Sequence, residues 1–162
     1  MSAIRFVALL ALVVWLGGMI VLGLVVAPAT FRVLQAQAPA TGRVLAGALF
    51  GDILRRFYLL AYGCGAVMLL SLLMMKSIGP PPRAFLPRAA IVVTMLAVAA
   101  YAGVPVAREI AQLQSRVSGP INALPETDPL RLRFDTLHAM STRLMTVDIV
   151  LGLVLLSWYI RE

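Results

Sequence analysis

Charged side chains are scarce in this sequence. Only 13% of its 162 residues are Asp, Glu, Lys or Arg, whereas 61% are hydrophobic. A soluble domain has roughly 25% charged residues, so the composition excludes an ordinary soluble protein and predicts a membrane protein. The length suits one domain, residues 1–162. Acidic residues are the rarer charged class, which leaves a net charge of +7.

The positive net charge does not indicate a nucleic-acid partner, because no basic run is interleaved with aromatic residues. Arginines instead flank the long apolar runs, where they hold topology and meet anionic lipid headgroups. We therefore expect the lipid bilayer as a partner and no nucleic acid.

Cysteine is nearly absent as well. The single cysteine, Cys64, excludes a disulfide within the chain. Its apolar, glycine-flanked position predicts a small packing residue rather than a reactive thiol. The sequence also lacks a zinc motif, a phosphate-binding loop, a dinucleotide fingerprint and a nucleophile elbow. No recognisable catalytic constellation supports an enzyme.

Long apolar runs dominate what is present. Four of them predict membrane spans, at about residues 4–27, 57–75, 89–104 and 140–160. Each run continues into polar, helix-compatible sequence, and all four extensions fall on the same side of an up-and-down arrangement. The pattern predicts an all-α fold: an integral membrane antiparallel four-helix bundle with helices extending beyond the bilayer on one side. The other side carries the termini and a proline-rich connector, residues 76–88.

Prolines punctuate these helices. Pro28 predicts a kink or an end of the first span, beyond which the chain is able to continue as a helix. Pro105 closes the third span. Asp128 and Pro129 open the last helix, with Asp as the N-cap and Pro at the first helical position.

Basic residues predict the orientation. Nine of the 14 Lys and Arg residues lie on the projecting side and five on the other, which favours a cytoplasmic projecting side. The short, purely basic connector argues for the opposite orientation. Trp158 and Tyr159, at the end of the last span, are typical of an interfacial aromatic belt.

The last helix carries the most unusual polar residues, namely the only histidine, His138, and a carboxylate, Asp148, within an apolar run. With Ser141, Met145 and Gly152 they are spaced +3, +4, +3 and +4. On a helix this spacing puts all five on one face, which we expect to point into the bundle.

A polar and aromatic cluster is predicted where the bundle leaves the membrane, because counting along the helices places His138 at this level. Its expected members are Pro28, Phe31, Arg32, Phe57, Tyr58, Tyr101, Pro105, Arg108, His138 and Ser141. His138 is interpreted either as an interfacial histidine bonded to a neighbouring helix, or as a titrating group or metal or haem ligand. Haem held by a histidine and a methionine, or Cu(I) held by His138 and methionines, is chemically reasonable.

Asp148 lies ten residues beyond His138, or roughly 15 Å deeper at 1.5 Å per residue. A charged Asp near the bilayer centre costs about 2.5–3.5 kcal/mol, and we expect no Lys or Arg at that depth. Asp148 is therefore predicted to be protonated or hydrogen-bonded to Tyr62, Thr94 or another mid-span polar group. Its role is then a proton relay or a ligand contact, or else a helix–helix hydrogen bond.

Three stretches carry a resemblance to a known family: Gly17-Gly18 followed by residues 25–31, residues 47–50, and residues 134–141 with His138 and Ser141. They resemble the bacterial four-helix membrane proteins related to human transmembrane protein 205, a family largely of unknown function. The layout is similar to the copper-resistance D proteins and, more remotely, to the HemJ-type protoporphyrinogen oxidases, which bind haem. The resemblance implies the bacterial inner membrane, and the analogy of layout adds weight to haem or copper as a ligand without identifying the cofactor. Met145 stands where the family commonly has an Asn, so no role of that Asn is transferred.

Two functions follow as hypotheses. The first is ligand binding, of haem, a metal ion or an amphipathic molecule, by residues around His138; the candidate residues are Pro28, Phe31, Arg32, His138, Ser141 and Asp148, with His138 as the metal ligand. The second is a structural role, as an accessory subunit of a larger membrane complex or as a homo-oligomer. A transporter that depends on Asp148 ranks third, since four spans are few for alternating access.

Overall fold

Long apolar helices make up most of the protein, which a computed structural model describes over residues 2–78, 84–117 and 119–160. Within these residues four helices are long and apolar enough to cross a membrane: Ala3–Gln37, Gly42–Ile78, Phe85–Ser115 and Pro129–Ile160. The longest has 37 residues and is therefore about 55 Å long, whereas the hydrocarbon core of a bilayer is about 30 Å thick. The prediction of an all-α bundle of four membrane-crossing helices is confirmed.

Two of the four helices change their hydrogen-bonding pattern for one turn, so each is divided in two. The α-helical elements in the described residues are α1 (Ser2–Val21), α2 (Ala27–Gln37), α3 (Gly42–Ile78), α4 (Phe85–Tyr101), α5 (Ala107–Ser115) and α6 (Pro129–Ile160). A π-helical turn, Leu22–Val26, joins α1 to α2, and another, Ala102–Val106, joins α4 to α5. A short 3-10 turn, Ile121–Ala123, precedes α6.

The helices pack in the order of the chain. Helix α1 packs on α3, α3 on α4, α4 on α6, and α6 on α1, so that α3 and α6 stand diagonally across a ring of four. The centre of the ring is filled by large buried side chains, among them Leu12, Trp15, Met68, Met95 and Leu155. Cys64 belongs to the same core, as predicted for a small packing residue.

The bundle divides into two hairpins on its projecting side. Helix α2 packs on the start of α3 to form hairpin 1, and α5 packs on the start of α6 to form hairpin 2. Hairpin 2 has a hydrophobic core of its own, built from Val106, Leu113, Ile121 and Leu137. Hairpin 1 closes through a tight turn at Gly42, where a Cβ would collide with the backbone carbonyl of Leu34.

The predicted helix start at Asp128 and Pro129 is confirmed. Helix α6 begins at Pro129, and the Asp128 carboxylate accepts the Leu130 N–H at 2.8 Å. The predicted connector over residues 76–88 is too long, because α3 continues to Ile78 and α4 begins at Phe85. The stretch of residues 78–82 is predicted to be non-helical, but Ile78 is the last residue of α3; residues 79–82 lie outside the described residues.

Tyr159 is predicted to belong to an interfacial aromatic belt, but its side chain does not face outwards. Tyr159 is buried in the bundle, and Cζ of the buried Arg88 lies 5.1 Å from the centre of its ring. Arg88 donates a hydrogen bond to the Trp158 carbonyl and Arg5 donates one to the Tyr159 carbonyl, both at 3.4 Å. Two arginines thus meet the last carbonyls of α6, where the helix dipole favours positive charge.

Candidate functional site

Pro28 and Pro105 each disturb the hydrogen bonding of a long helix, because proline has no N–H and its ring clashes with the carbonyl four residues earlier. The chain responds in both places with one turn of π-helix. The Ala27 N–H bonds to the Leu22 carbonyl, and the Ala107 N–H to the Ala102 carbonyl, each five residues back. Both helices then continue beyond the proline, so neither proline ends its helix.

Both π-helical turns reach a small cavity inside the bundle. Leu22 and Ala102, the first residues of the two turns, line this cavity together with a residue from each of the other two long helices, Tyr58 and Asp148. We call it the Asp148 pocket and define it by Met19, Leu22, Tyr58, Ala102, Met145 and Asp148. Single π-helical turns are frequent at functional sites, and here two of them converge on one carboxyl group.

Asp148 is almost completely buried, with 3% of its surface exposed. Its Oδ1 atom has no hydrogen-bond partner among the described residues. The two predicted partners bond elsewhere: the Tyr62 hydroxyl donates to the Ala99 carbonyl at 3.3 Å, and Thr94 Oγ1 donates to the Ala90 carbonyl at 2.9 Å. The prediction that Tyr62 or Thr94 satisfies Asp148 is therefore wrong, since each satisfies its hydroxyl on a backbone carbonyl.

Tyr58 is the hydroxyl-bearing side chain that lines the pocket. The sequence places Phe57 and Tyr58 at the level of His138, but both line the pocket of Asp148, deeper in the bundle. Gly103 makes room for the tyrosine, because a Cβ at this position would lie 2.7 Å from Cγ of the Tyr58 ring. No spacing within α3 identifies Tyr58, since its partners belong to other helices.

The other candidate residues do not line the Asp148 pocket. Pro28, Arg32 and His138 are exposed, and Phe31 and Ser141 are half-buried. The His138 ring stacks on Phe134 of the same helix, with 6.0 Å between ring centres. The structure thus separates Asp148 from the predicted boundary residues, and their role as a ligand site stays a prediction.

The expectation that His138 points into the bundle is wrong. Leu137 is buried instead of His138. Asp148 and Gly152 of the same stripe are buried, as predicted. Alternating steps of three and four residues average 3.5, but an α-helix has 3.6 residues per turn, so such a stripe drifts by about 20° per seven residues. Across the 14 residues from His138 to Gly152 this drift carries the histidine towards the side of the helix.

The arrangement of the usual metal-binding side chains gives little support to a metal site. Within residues 2–78, 84–117 and 119–160 no three His, Cys, Asp or Glu side chains form a group that could hold a metal ion. This observation does not test a site made from His138 and methionine sulfur, because methionine is not among those side chains. The His138–methionine site stays a prediction.

The fold and the pocket together define a multi-pass α-helical membrane protein with a buried carboxyl group between its helices. The chain belongs to the family described as Domain of unknown function (DUF4149), which matches residues 10–117. The match includes both π-helical turns and Tyr58, and it ends before α6, which carries Asp148 and His138. No curated protein and no solved structure is significantly similar to the chain.

Proposed function

We propose that this protein binds a ligand inside the bundle, at the Asp148 pocket. The observation that carries the proposal is the buried Asp148 carboxyl, whose Oδ1 atom meets no donor among the described residues. Burying a polar group without a hydrogen bond costs about 1–3 kcal/mol in proteins. Ionisable residues inside the membrane are rare for this reason, and they typically serve ligands or ions.

A purely structural role for Asp148 has less support. Such a role requires a hydrogen bond between helices, and the hydroxyls of the two predicted donors, Tyr62 and Thr94, are both bonded to backbone carbonyls. The pocket is formed by residues of all four long helices, which is where helix bundles commonly place ligand sites. These observations support a role for Asp148 in contacting a ligand rather than another helix.

Haem or copper at His138 is the second form of the ligand hypothesis. It rests on the resemblance to the proteins related to human transmembrane protein 205, whose layout is similar to that of the copper-resistance D proteins and, more remotely, the HemJ-type proteins. A likeness of fold does not determine function. Because His138 is exposed, such a cofactor would lie on the outside of α6. We therefore prefer the Asp148 pocket and treat a haem or copper signal as an outcome of the test.

The test is a gentle detergent purification of the wild type, Asp148→Asn, His138→Ala and the control Asp135→Asn. Asp135 is an exposed carboxylate on the same helix. Mass spectrometry of the extracted small molecules should find a species that is present in the wild type and in Asp135→Asn, and lost in Asp148→Asn. If the species is haem or copper and disappears only in His138→Ala, the site is at His138 and the proposal is overturned.

A membrane-soluble carbodiimide offers a second readout, because it modifies carboxyl groups in apolar surroundings. Peptide mapping should find the modification at Asp148 and not at Asp135 or Asp52, and the native ligand should slow the reaction. Equal modification of Asp148 with and without its ligand would show that the ligand binds elsewhere.

An accessory subunit or homo-oligomer is the alternative function. Gly17, Gly51 and Gly63 have open space where a Cβ would be, and exposed glycines let a second membrane helix approach closely. Cross-linking in native membranes should then capture a partner or a second copy, and Gly63→Leu should abolish this product. A wild type that stays monomeric and uncross-linked would count against this alternative.

We also propose that the protein resides in the inner (plasma) membrane of a bacterium with its projecting side in the cytoplasm, as the excess of basic residues favours. In a Cys64→Ala background, a cysteine at Ser115 would lie at the projecting end of α5. It should resist an impermeant maleimide in intact cells and react after lysis. Reaction in intact cells would reverse the orientation.

A further inference from the structure

The Asp148 pocket has the chemistry of a site for a cation that donates hydrogen bonds. We infer that its ligand is an amphipathic primary amine, whose ammonium group binds to the Asp148 carboxylate. This inference rests on the proposed function and specifies the class of its ligand.

Charge is the first reason. Asp148 contributes an acidic group to the pocket, and none of the described residues that line it is basic. A buried carboxylate is stabilised by an opposite charge that also forms hydrogen bonds. Since the pocket's own side chains do not supply this charge, a cationic ligand is the complementary partner.

Hydrogen bonding is the second reason. Oδ1 of Asp148 lacks a donor among the described residues, and an ammonium group brings three N–H donors. The aromatic rings of Phe57 and Tyr58 line the same cavity, and the face of an aromatic ring attracts a cation. A primary amine satisfies both requirements, whereas a quaternary amine has no N–H to offer.

Size and ligand number distinguish an ammonium group from a trimethylated amine and from a calcium ion. The cavity has a volume of ≈ 10 Å³, which is about the space that one water molecule needs. An ammonium group is of this size, whereas a trimethylated amine is considerably larger. A calcium ion takes six to eight oxygen ligands, and the side chains lining this pocket offer only a carboxyl group and a hydroxyl.

The apolar part of the amine has adaptable neighbours. Met19 and Met145 line the pocket, and methionine side chains fill or vacate space easily because they are unbranched and flexible. The Met145 methyl group lies 3.1 Å from where a Cβ of Gly23 would be, so this side chain packs directly against the first π-helical turn. Movement of Met145 would open the pocket along that turn.

The experiment compares three probes of equal chain length, octylamine, octyltrimethylammonium and octanol, on protein in lipid nanodiscs. Binding is read from the shift in melting temperature as each probe is titrated. The wild type and the control Asp135→Asn should bind octylamine about tenfold or more tightly than either other probe. Asp148→Asn should lose this preference, because removing one partner of a buried, hydrogen-bonded charge pair costs more than tenfold in affinity.

Tyr58→Phe keeps the aromatic ring and removes the hydroxyl, and it provides a second variant if Asp148→Asn does not fold. It should still prefer octylamine over octanol, with reduced affinity. If octylamine binds no better than octanol to the wild type, or equally well to Asp148→Asn, the inference is overturned. In that case a co-purifying molecule that is not an amine and depends on Asp148 would leave the proposed function standing, whereas the absence of any such molecule would remove both.

Discussion

Tyr58 and Asp148 line one cavity from helices that stand diagonally across the bundle, α3 and α6. The tyrosine ring occupies space that Gly103, in the second π-helical turn, leaves open. The pocket therefore depends on all four long helices, including the π-helical turns of the first and third. A substitution at Gly103 should therefore change the surroundings of Asp148, although the two residues are on different helices.

Gly103→Ala should disturb the pocket, because the added Cβ would lie 2.7 Å from Cγ of Tyr58 and 2.8 Å from the Tyr62 hydroxyl. We expect a loss of about 1–3 kcal/mol in stability, as is typical of overpacking, and slower carbodiimide modification of Asp148. Gly63→Ala is the matched control, since a Cβ at Gly63 meets nothing within 4 Å. It should be neutral or stabilising by up to about 1 kcal/mol. Thermal melts that rank the two variants in the opposite order would contradict the packing described at Gly103.

Asp148→Leu should stabilise the ligand-free protein while it abolishes ligand binding. The substitution removes a buried oxygen that has no donor among the described residues, and burying such a group costs about 1–3 kcal/mol. Asp135→Leu, at an exposed position of the same helix, should change the stability little. Melting temperatures in the same detergent give the comparison. A strongly destabilised Asp148→Leu would mean that the carboxyl group has a structural role.

Arg88→Ala should loosen the end of the bundle opposite the projecting side. The substitution removes the cation above the Tyr159 ring and the donor to the Trp158 carbonyl, with an expected loss of about 1–3 kcal/mol. Arg88→Lys should recover little of this lost stability, because lysine lacks the planar guanidinium with its several N–H donors. Arg43→Ala is the control at an exposed arginine. Thermal melting that shows the same small effect for Arg88→Ala and Arg43→Ala would contradict this role.

Pro105→Ala should allow the second π-helical turn to revert to α-helix. An N–H at position 105 becomes able to bond to the Tyr101 carbonyl, and the ring no longer clashes with that carbonyl. Hydrogen exchange of residues 102–107 should therefore slow down. Loss of the extra residue in the turn would also rotate α5, so the hairpin 2 core around Leu113 should exchange faster. Unchanged exchange in both regions would show that the π-helical turn does not depend on the proline.

Asp52 should contribute to stability only above acidic pH. Hydrogen bonds from Arg56 at 2.8 Å and from Arg55 at 3.0 Å hold the pKa of the Asp52 carboxyl below its ordinary value. A carboxyl whose pKa is lower in the folded state stabilises the protein above its unfolded-state pKa of about 4, and this contribution disappears as the pH falls through the folded-state pKa. Asp52→Asn should thus lower the melting temperature slightly at neutral pH and not at about pH 2. A difference that persists at the acidic pH would show that the carboxylate charge is not its cause.

Composition and apolar run length predicted most of the architecture. Four apolar runs with polar extensions were sufficient to predict an all-α bundle of four long helices, because a backbone in lipid has to satisfy its own hydrogen bonds. Local chemistry was equally reliable where it acts within one turn, as at the Asp128 N-cap, whose carboxylate bonds to the Leu130 N–H. The depth of each helix was harder to predict. Apolar runs do not begin at a common depth, and counting from them placed Tyr58 beside His138 rather than beside Asp148.

The candidate site was also predictable only in part. Its central residue was predictable, since a lone carboxylate in an apolar run is conspicuous whatever surrounds it. The surroundings of Asp148 were not predictable, because Tyr58, Leu22 and Ala102 come from three other helices and nothing in their local sequence relates them. The rotation of α6 likewise decided that Leu137 is buried and His138 exposed, and a rotation is set by the neighbours against which a helix packs.

The sequence by itself determined that this is a helical membrane protein, where its helices lie, and that Asp148 is its most unusual residue. These properties follow from side-chain transfer energies and from hydrogen bonding within single helices, both of which are local. Only the tertiary structure decided that Oδ1 of Asp148 has no donor among the described residues, that Tyr58 lines the same pocket, and that both π-helical turns reach it. Those properties depend on the depth and rotation of four helices relative to one another, which arise from packing between segments that are distant in the chain.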